Sequence, residues 1–170
     1  MDRNNSKDGC VSAHMLQLLY AYLVNGNMEL IDTCLRDLRN SVEKSESNNH
    51  QIQFKLAKIL GGIGEKGSTT AHYAKNLLDN AIQLWRKSEY LAEKVQRLMH
   101  YDDFKTAKPL AIEALQIDSQ PEPQILLGIV RCFLAENQIE DALAQLEFVR
   151  VTHPAISQSS AIVLLFVSCC

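Results

Sequence analysis

The sequence has few turn-forming residues and no marked excess of either charge. Its 170 residues include only 7 glycines and 4 prolines, too few for the many turns of a β-sandwich. The 17 basic and 20 acidic residues give a net charge of −3, and this balance argues against a nucleic-acid-binding surface. A hydrophobic share of 46% is too high for a disordered chain. The composition therefore favours a folded, mainly helical protein.

Targeting and membrane signals are also missing. No basic segment followed by an apolar stretch opens the chain, so we expect no secretory signal. The apolar end of the chain is too short to span a bilayer, which takes about 20 apolar residues. The terminal Cys169-Cys170 pair does not form a C-a-a-X lipidation box. We predict no membrane span and a cytoplasmic location.

The sequence shows no motif for chemistry. Five cysteines form no Cys-x-x-Cys pair, and five scattered histidines have neither metal-ligand nor nucleophile spacing. The glycine-rich stretch 61–67 lacks the Gly-Lys-Ser/Thr order of a phosphate loop. We therefore predict no catalytic residue, metal or cofactor, and hence no enzyme. A helical enzyme with an unrecognised site stays open as an alternative.

Other polar and aromatic residues have structural explanations. The carboxylate pairs Asp102-Asp103 and Glu140-Asp141 precede or begin apolar helical patterns, so we interpret them as helix caps. Trp85 and Phe104 lie on apolar helix faces and are predicted to be core residues.

Apolar residues recur at three- and four-residue steps along most of the chain, the spacing of one helix face. In the first such run they are Val11, Met15, Leu18, Leu19, Tyr22 and Leu23. Polar or glycine-containing turns separate the runs into pairs, which predicts antiparallel helical hairpins. The predicted organisation is a flexible N-terminus at 1–10 and a repeat array at 11–170. Its hairpins are at about 11–42, 51–87, 89–118 and 123–153, with a truncated helix at 157–170.

A repeat is visible in the second helices of these hairpins. Ala107 and Ala142 occupy matching positions 35 residues apart, and Ala74 lies 33 residues before Ala107. This spacing is close to the ~34-residue period of tetratricopeptide repeats. Small residues at these positions allow two helices to approach closely.

The segment from Glu122 to Pro154 resembles a tetratricopeptide repeat through Leu126, Ile129, Phe133, Ala142, Leu146 and Pro154. The resemblance implies an all-α, tetratricopeptide-like helical-hairpin solenoid of about four hairpins plus an incomplete final helix. It departs from the family pattern at Val130, where Gly or Ala is usual, and Gly128 stands two residues early. The register of this first helix is therefore open.

The stretch from Pro123 to Val149, followed by Ser159-Ser160-Ala161, resembles a narrower family. These are the large tetratricopeptide-repeat subunits of intraflagellar transport complex A, which are scaffolds for retrograde ciliary transport and cilium assembly. The resemblance implies a fragment or short isoform, a location at the cilium or its base, and other subunits of the complex as partners.

The alternative partner class is that of co-chaperone adaptors, which grip an acidic peptide terminus with a basic clamp. The corresponding inner positions here are Ala92, Gln96, Leu127 and Arg131, which do not form that clamp. We predict Gln96 and Arg131 as protein-binding residues.

Overall fold

The computed structural model describes residues 5–118 and 123–152, together with Pro154 and Val167. In these residues all regular structure is helical, and no strand is present. The all-α helical-repeat fold predicted from the sequence is confirmed. The helices are α1 (Asn5–Tyr20), α2 (Met28–Ser45), α3 (His50–Ile63), α4 (Thr69–Leu84), α5 (Ser88–His100), α6 (Phe104–Ile117), α7 (Pro123–Ala135) and α8 (Ile139–Thr152). The chain divides into two compact units, Met1–Trp85 and Arg86–Cys170.

Side-chain caps fix the beginnings of several helices. The Ser68 hydroxyl accepts a hydrogen bond from the Ala71 amide at 3.1 Å and caps α4. The Asp103 carboxylate accepts from the Thr106 amide at 3.2 Å, which confirms the capping interpretation of that aspartate. Asparagine caps begin α2 at Asn27 and α3 at Asn49. These bonds satisfy amide groups that a helix leaves unpaired at its first turn.

In the N-terminal unit, α1 packs against α2 and α3 packs against α4. Each helix contributes a leucine that is almost completely buried: Leu18, Leu38, Leu60 and Leu78. Burying one such side chain is worth about 1.5–3 kcal/mol, so the leucines are a main source of this unit's stability.

In the C-terminal unit, α6 and α7 pack against each other, α5 contacts both, and α8 packs against α7. Ala107, Ala111 and Ala114 of α6 are completely buried, as the repeat pattern predicts. Gly128 lies where α7 contacts α5. A Cβ atom there would lie 3.2 Å from both Val95 and Met99 of α5, so this glycine lets α5 and α7 approach.

The boundaries differ from the sequence pattern in several places. α1 begins at Asn5, inside the segment 1–10 that was predicted to be flexible. α3 includes Gly61 and Gly62 and continues to Ile63. The chain leaves the helix at Gly64, where a Cβ atom would lie 2.9 Å from the Ala71 amide nitrogen. The predicted truncated helix 157–170 lies outside the described residues, apart from Val167.

Candidate protein-interaction surfaces

The predicted inner positions of the C-terminal unit do not share one surface. Arg131 on α7 is exposed, and Gln96 on α5 is half-buried. Ala92 is buried, and Leu127 packs against the core cluster between α7 and α8. The role of Gln96 and Arg131 in protein binding stays a prediction, whereas the two apolar positions serve the fold.

A lysine that could have served a binding surface is used inside the same unit. The Lys108 ammonium lies 2.5 Å from a Glu136 carboxylate oxygen, 2.8 Å from the Gln138 amide oxygen and 4.4 Å from the centre of the Phe133 ring. These contacts tie α6 to α7 and to the turn before α8. The lysine joins secondary structures rather than receiving an anionic ligand.

The cysteine nearest this network is a packing residue. Cys132 is completely buried, and burial, with the Glu136 carboxylate as the smaller cause, raises the pKa of its thiol. A raised pKa keeps the thiol protonated, and reactive cysteines need the thiolate. In the described residues, no group of three His, Cys, Asp or Glu side chains is arranged to hold a metal ion.

Several large apolar side chains are exposed in the N-terminal unit. They include Leu16, Tyr20, Leu23, Val24 and Met28, whose side chains are 58–80% exposed, and we name these five residues the α1 surface. The first four follow one side of α1 and its last turn, and Met28 begins α2. Neighbouring apolar residues of this size usually mark a protein-interaction site when they are left in solvent.

A wide turn lies at the end of α1. Residues Ala21–Asn25 form a π turn, in which the Gly26 amide donates to the Ala21 carbonyl at 2.9 Å. Gly26 adopts a left-handed backbone, φ +57°, and ends the turn. The Tyr22 hydroxyl is 2.6 Å from the Thr70 hydroxyl of α4, so Tyr22 points into the unit while Leu23 points out.

The prediction that Leu23 shares the buried face of α1 is therefore wrong. A period of 3.6 residues places Leu23 on the side of Leu19, which is itself only half-buried, and roughly 110° from the buried line of Val11, Met15 and Leu18. The sequence does carry one signal of the surface: Val11 to Met28 contains no Asp, Glu, Lys or Arg. A helix with apolar residues on both sides is normally covered on both sides.

The prediction that Trp85 is a core residue is also wrong. Its side chain is 57% exposed, and it caps α4 with extended backbone after the last helical turn. The indole stacks on the His50 imidazole with 5.6 Å between ring centres. Phe104, by contrast, is half-buried at the first position of α6.

Comparison with known proteins identifies the family. Residues 33–169 match the profile of the tetratricopeptide repeat protein 21 second ARM domain. The chain belongs to this family. It is 25% identical over 145 residues to the tetratricopeptide repeat protein 21 homolog of Caenorhabditis briggsae, covering 85% of this chain. It is 26% identical over 156 residues to human tetratricopeptide repeat protein 21B, covering 91% of this chain.

Two features of these matches bear on the surfaces. The aligned stretches span only 11% and 12% of the two relatives, so this chain corresponds to a small part of each. The family profile begins at residue 33, inside α2, and therefore does not include the α1 surface.

Membership of this family makes the chain a helical-repeat scaffold domain. None of the helices in the described part of the chain is long and apolar enough to cross a membrane.

Proposed function

We propose that this chain is a protein–protein interaction scaffold that works within intraflagellar transport complex A, in retrograde ciliary transport and cilium assembly. The observation that carries the binding role is the α1 surface, because five large apolar side chains within 13 residues of sequence are left in solvent. Family membership and the resemblance to the large repeat subunits of that complex support the ciliary assignment. The proposed location is the cytoplasm at the cilium or its base.

In this proposal the two units contribute differently. The α1 surface supplies apolar contact area, and burial of apolar area is the main favourable contribution to most protein–protein association. Gln96 and Arg131 of the C-terminal unit supply polar contacts, which favour orientation and specificity over affinity. The partners are other subunits of the same complex.

Affinity purification of the tagged chain from ciliated cells, followed by quantitative mass spectrometry, tests the proposal. The matched variants are Leu23→Lys on the α1 surface and Val151→Lys on α8, since Val151 is similarly exposed at 69%. We expect the wild type and Val151→Lys to recover complex A subunits specifically and Leu23→Lys to recover far less. Recovery of chaperones alone by all three chains would contradict the proposal.

A further inference from the structure

A polar cleft of about 380 Å³ lies between α1 and α2. From α1 it is lined by Cys10 and His14, which are four residues apart and therefore share one side of the helix. From α2 it is lined by polar residues that follow one side of that helix: Asp37, Asn40, Ser41, Lys44 and Ser45. Ligand-binding clefts have volumes of about 300–1,000 Å³, so this space admits a small molecule.

The cleft presents an accessible thiol. Cys10 is exposed and forms no disulfide. The Ser41 hydroxyl donates a hydrogen bond to the Cys10 sulfur at 3.4 Å, and Ser41 is itself buried, so the sulfur is held in a defined position. The same hydroxyl can donate to a thiolate, which is the form of cysteine that attacks a disulfide. The thiol is therefore placed for exchange with a ligand that carries sulfur.

Charges of both signs line the cleft. Asp37 and Lys44 are seven residues apart on α2, which separates them by about 10 Å along the helix axis at 1.5 Å per residue. Asn40 lies between them and adds a neutral amide. Within the described part of the chain, neither Asp37 nor Lys44 forms an ion pair. A ligand that carries both an anion and a cation would therefore find a partner for each.

An unpaired nitrogen at the cleft also indicates a ligand. The His14 imidazole lines the cleft, and its Nδ1 is buried without a hydrogen-bond partner among the described residues. Buried polar atoms in folded proteins are normally paired, so an unpaired one beside a cleft calls for a bound polar group. The cleft thus combines a positioned thiol, two opposite charges and an unsatisfied polar atom.

We infer that Cys10 is a redox modification site at which the cleft takes up glutathione, a peptide thiol with carboxylates and an ammonium group. The Cys10 thiolate attacks one sulfur of glutathione disulfide, so a Cys10–glutathione bond forms and the bond between the two glutathione sulfurs breaks. Cys10 is oxidised to the mixed disulfide, and the departing glutathione is reduced to a thiol that takes up the proton released by Cys10. Lys44 pairs with a glutathione carboxylate and Asp37 with its ammonium group. This site is separate from the proposed scaffold function.

The rate of exchange at each cysteine of the purified full chain tests the inference. The reduced chain is mixed with glutathione disulfide, samples are quenched in acid, and peptide mapping by mass spectrometry separates Cys10 from the other cysteines. Hydroxyethyl disulfide is the reference reagent, because it has the same reacting bond and no charge. We expect Cys10 to gain glutathione faster than Cys34 and the buried Cys132, and dithiothreitol to remove it.

Charge variants separate recognition by the cleft from simple exposure of the thiol. Lys44→Gln is expected to slow exchange with glutathione disulfide at least about twofold and to leave the rate with hydroxyethyl disulfide unchanged. Lys58→Gln is its control, because Lys58 is also exposed but lies on α3, outside the cleft. Asp37→Asn is expected to slow glutathione exchange as well. Glutathione disulfide is net negative, so loss of an acid without a specific contact would speed its approach instead. Circular dichroism confirms that each variant is folded.

Three results would overturn the inference. The first is no modification of Cys10 in the folded chain. The second is an unchanged ratio of the two reagents' rates in Lys44→Gln and Asp37→Asn, which would make Cys10 an ordinary exposed thiol. The third is faster glutathione exchange in Asp37→Asn, which would leave only a general effect of charge.

Discussion

Two tyrosines of the N-terminal unit are expected to respond in opposite ways to loss of the hydroxyl. The Tyr22 hydroxyl is 2.6 Å from the hydroxyl of Thr70, which is completely buried. The Tyr73 hydroxyl is buried and has no hydrogen-bond partner in the described part of the chain. Changing either residue to phenylalanine keeps the ring and removes one oxygen, so the pair isolates the hydrogen bond.

The expected change in the free energy of unfolding depends on which buried polar group each substitution leaves unpaired or removes. Tyr22→Phe leaves the buried Thr70 hydroxyl unpaired, which is expected to lower the free energy of unfolding by about 1–2 kcal/mol. Adding Thr70→Val removes that unpaired group and is expected to restore part of the loss. Tyr73→Phe deletes a polar atom whose burial is uncompensated, so we expect no loss and a gain of up to about 1 kcal/mol. Arg39, whose guanidinium lies 5.8 Å from the Tyr73 ring centre, keeps that contact.

Urea unfolding followed by tryptophan fluorescence measures both changes. Trp85 is the single tryptophan of the chain and belongs to the same unit, so its signal reports on that unit. The reasoning predicts that the two variants differ by at least about 1 kcal/mol. Equal destabilisation by both would refute it, because the two hydroxyls would then have the same surroundings.

Three further predictions concern other parts of the fold. Gly128→Ala is expected to destabilise the C-terminal unit by about 1–3 kcal/mol in thermal unfolding, because the added Cβ would overpack the α5–α7 contact. Its control is Gly62→Ala, which has open space around the Cβ position and is expected to be neutral or stabilising. Leu146→Ala, at a completely buried site, is expected to cost about 2–5 kcal/mol in urea unfolding followed by circular dichroism. Burial, with the Glu43 carboxylate as the smaller cause, raises the pKa of Tyr73 from 10.0 to about 12. The folded state therefore holds that proton more tightly, and the free energy of unfolding should fall between pH 10 and about 12, less steeply in Tyr73→Phe.

The helical pairing and much of the core could be predicted from the sequence. The buried alanines of α6 were predictable because the repeat places a small residue wherever two helices approach. The caps at Ser68 and Asp103 were predictable because their side chains accept from amides that every helix start leaves free. In each case a local rule determines the outcome.

The α1 surface could not be derived in the same way. A period of 3.6 residues places Leu23 at the edge of the buried face of α1, so whether it is covered depends on tertiary packing that the pattern does not contain. The Tyr22 hydroxyl contacts the Thr70 hydroxyl 48 residues away, and no local pattern contains this contact. Trp85 was assigned wrongly for a similar reason, since α4 ends one residue earlier and its indole stacks on His50 instead.

Direct binding of the purified chain to purified intraflagellar transport complex A tests the central claim. Biolayer interferometry would compare the wild type with Leu23→Lys and Val151→Lys, each first shown to be folded by circular dichroism. The account predicts saturable binding by the wild type and Val151→Lys, and a loss of more than about tenfold in affinity for Leu23→Lys. No binding by a folded wild-type chain, or equal binding by all three, would contradict it.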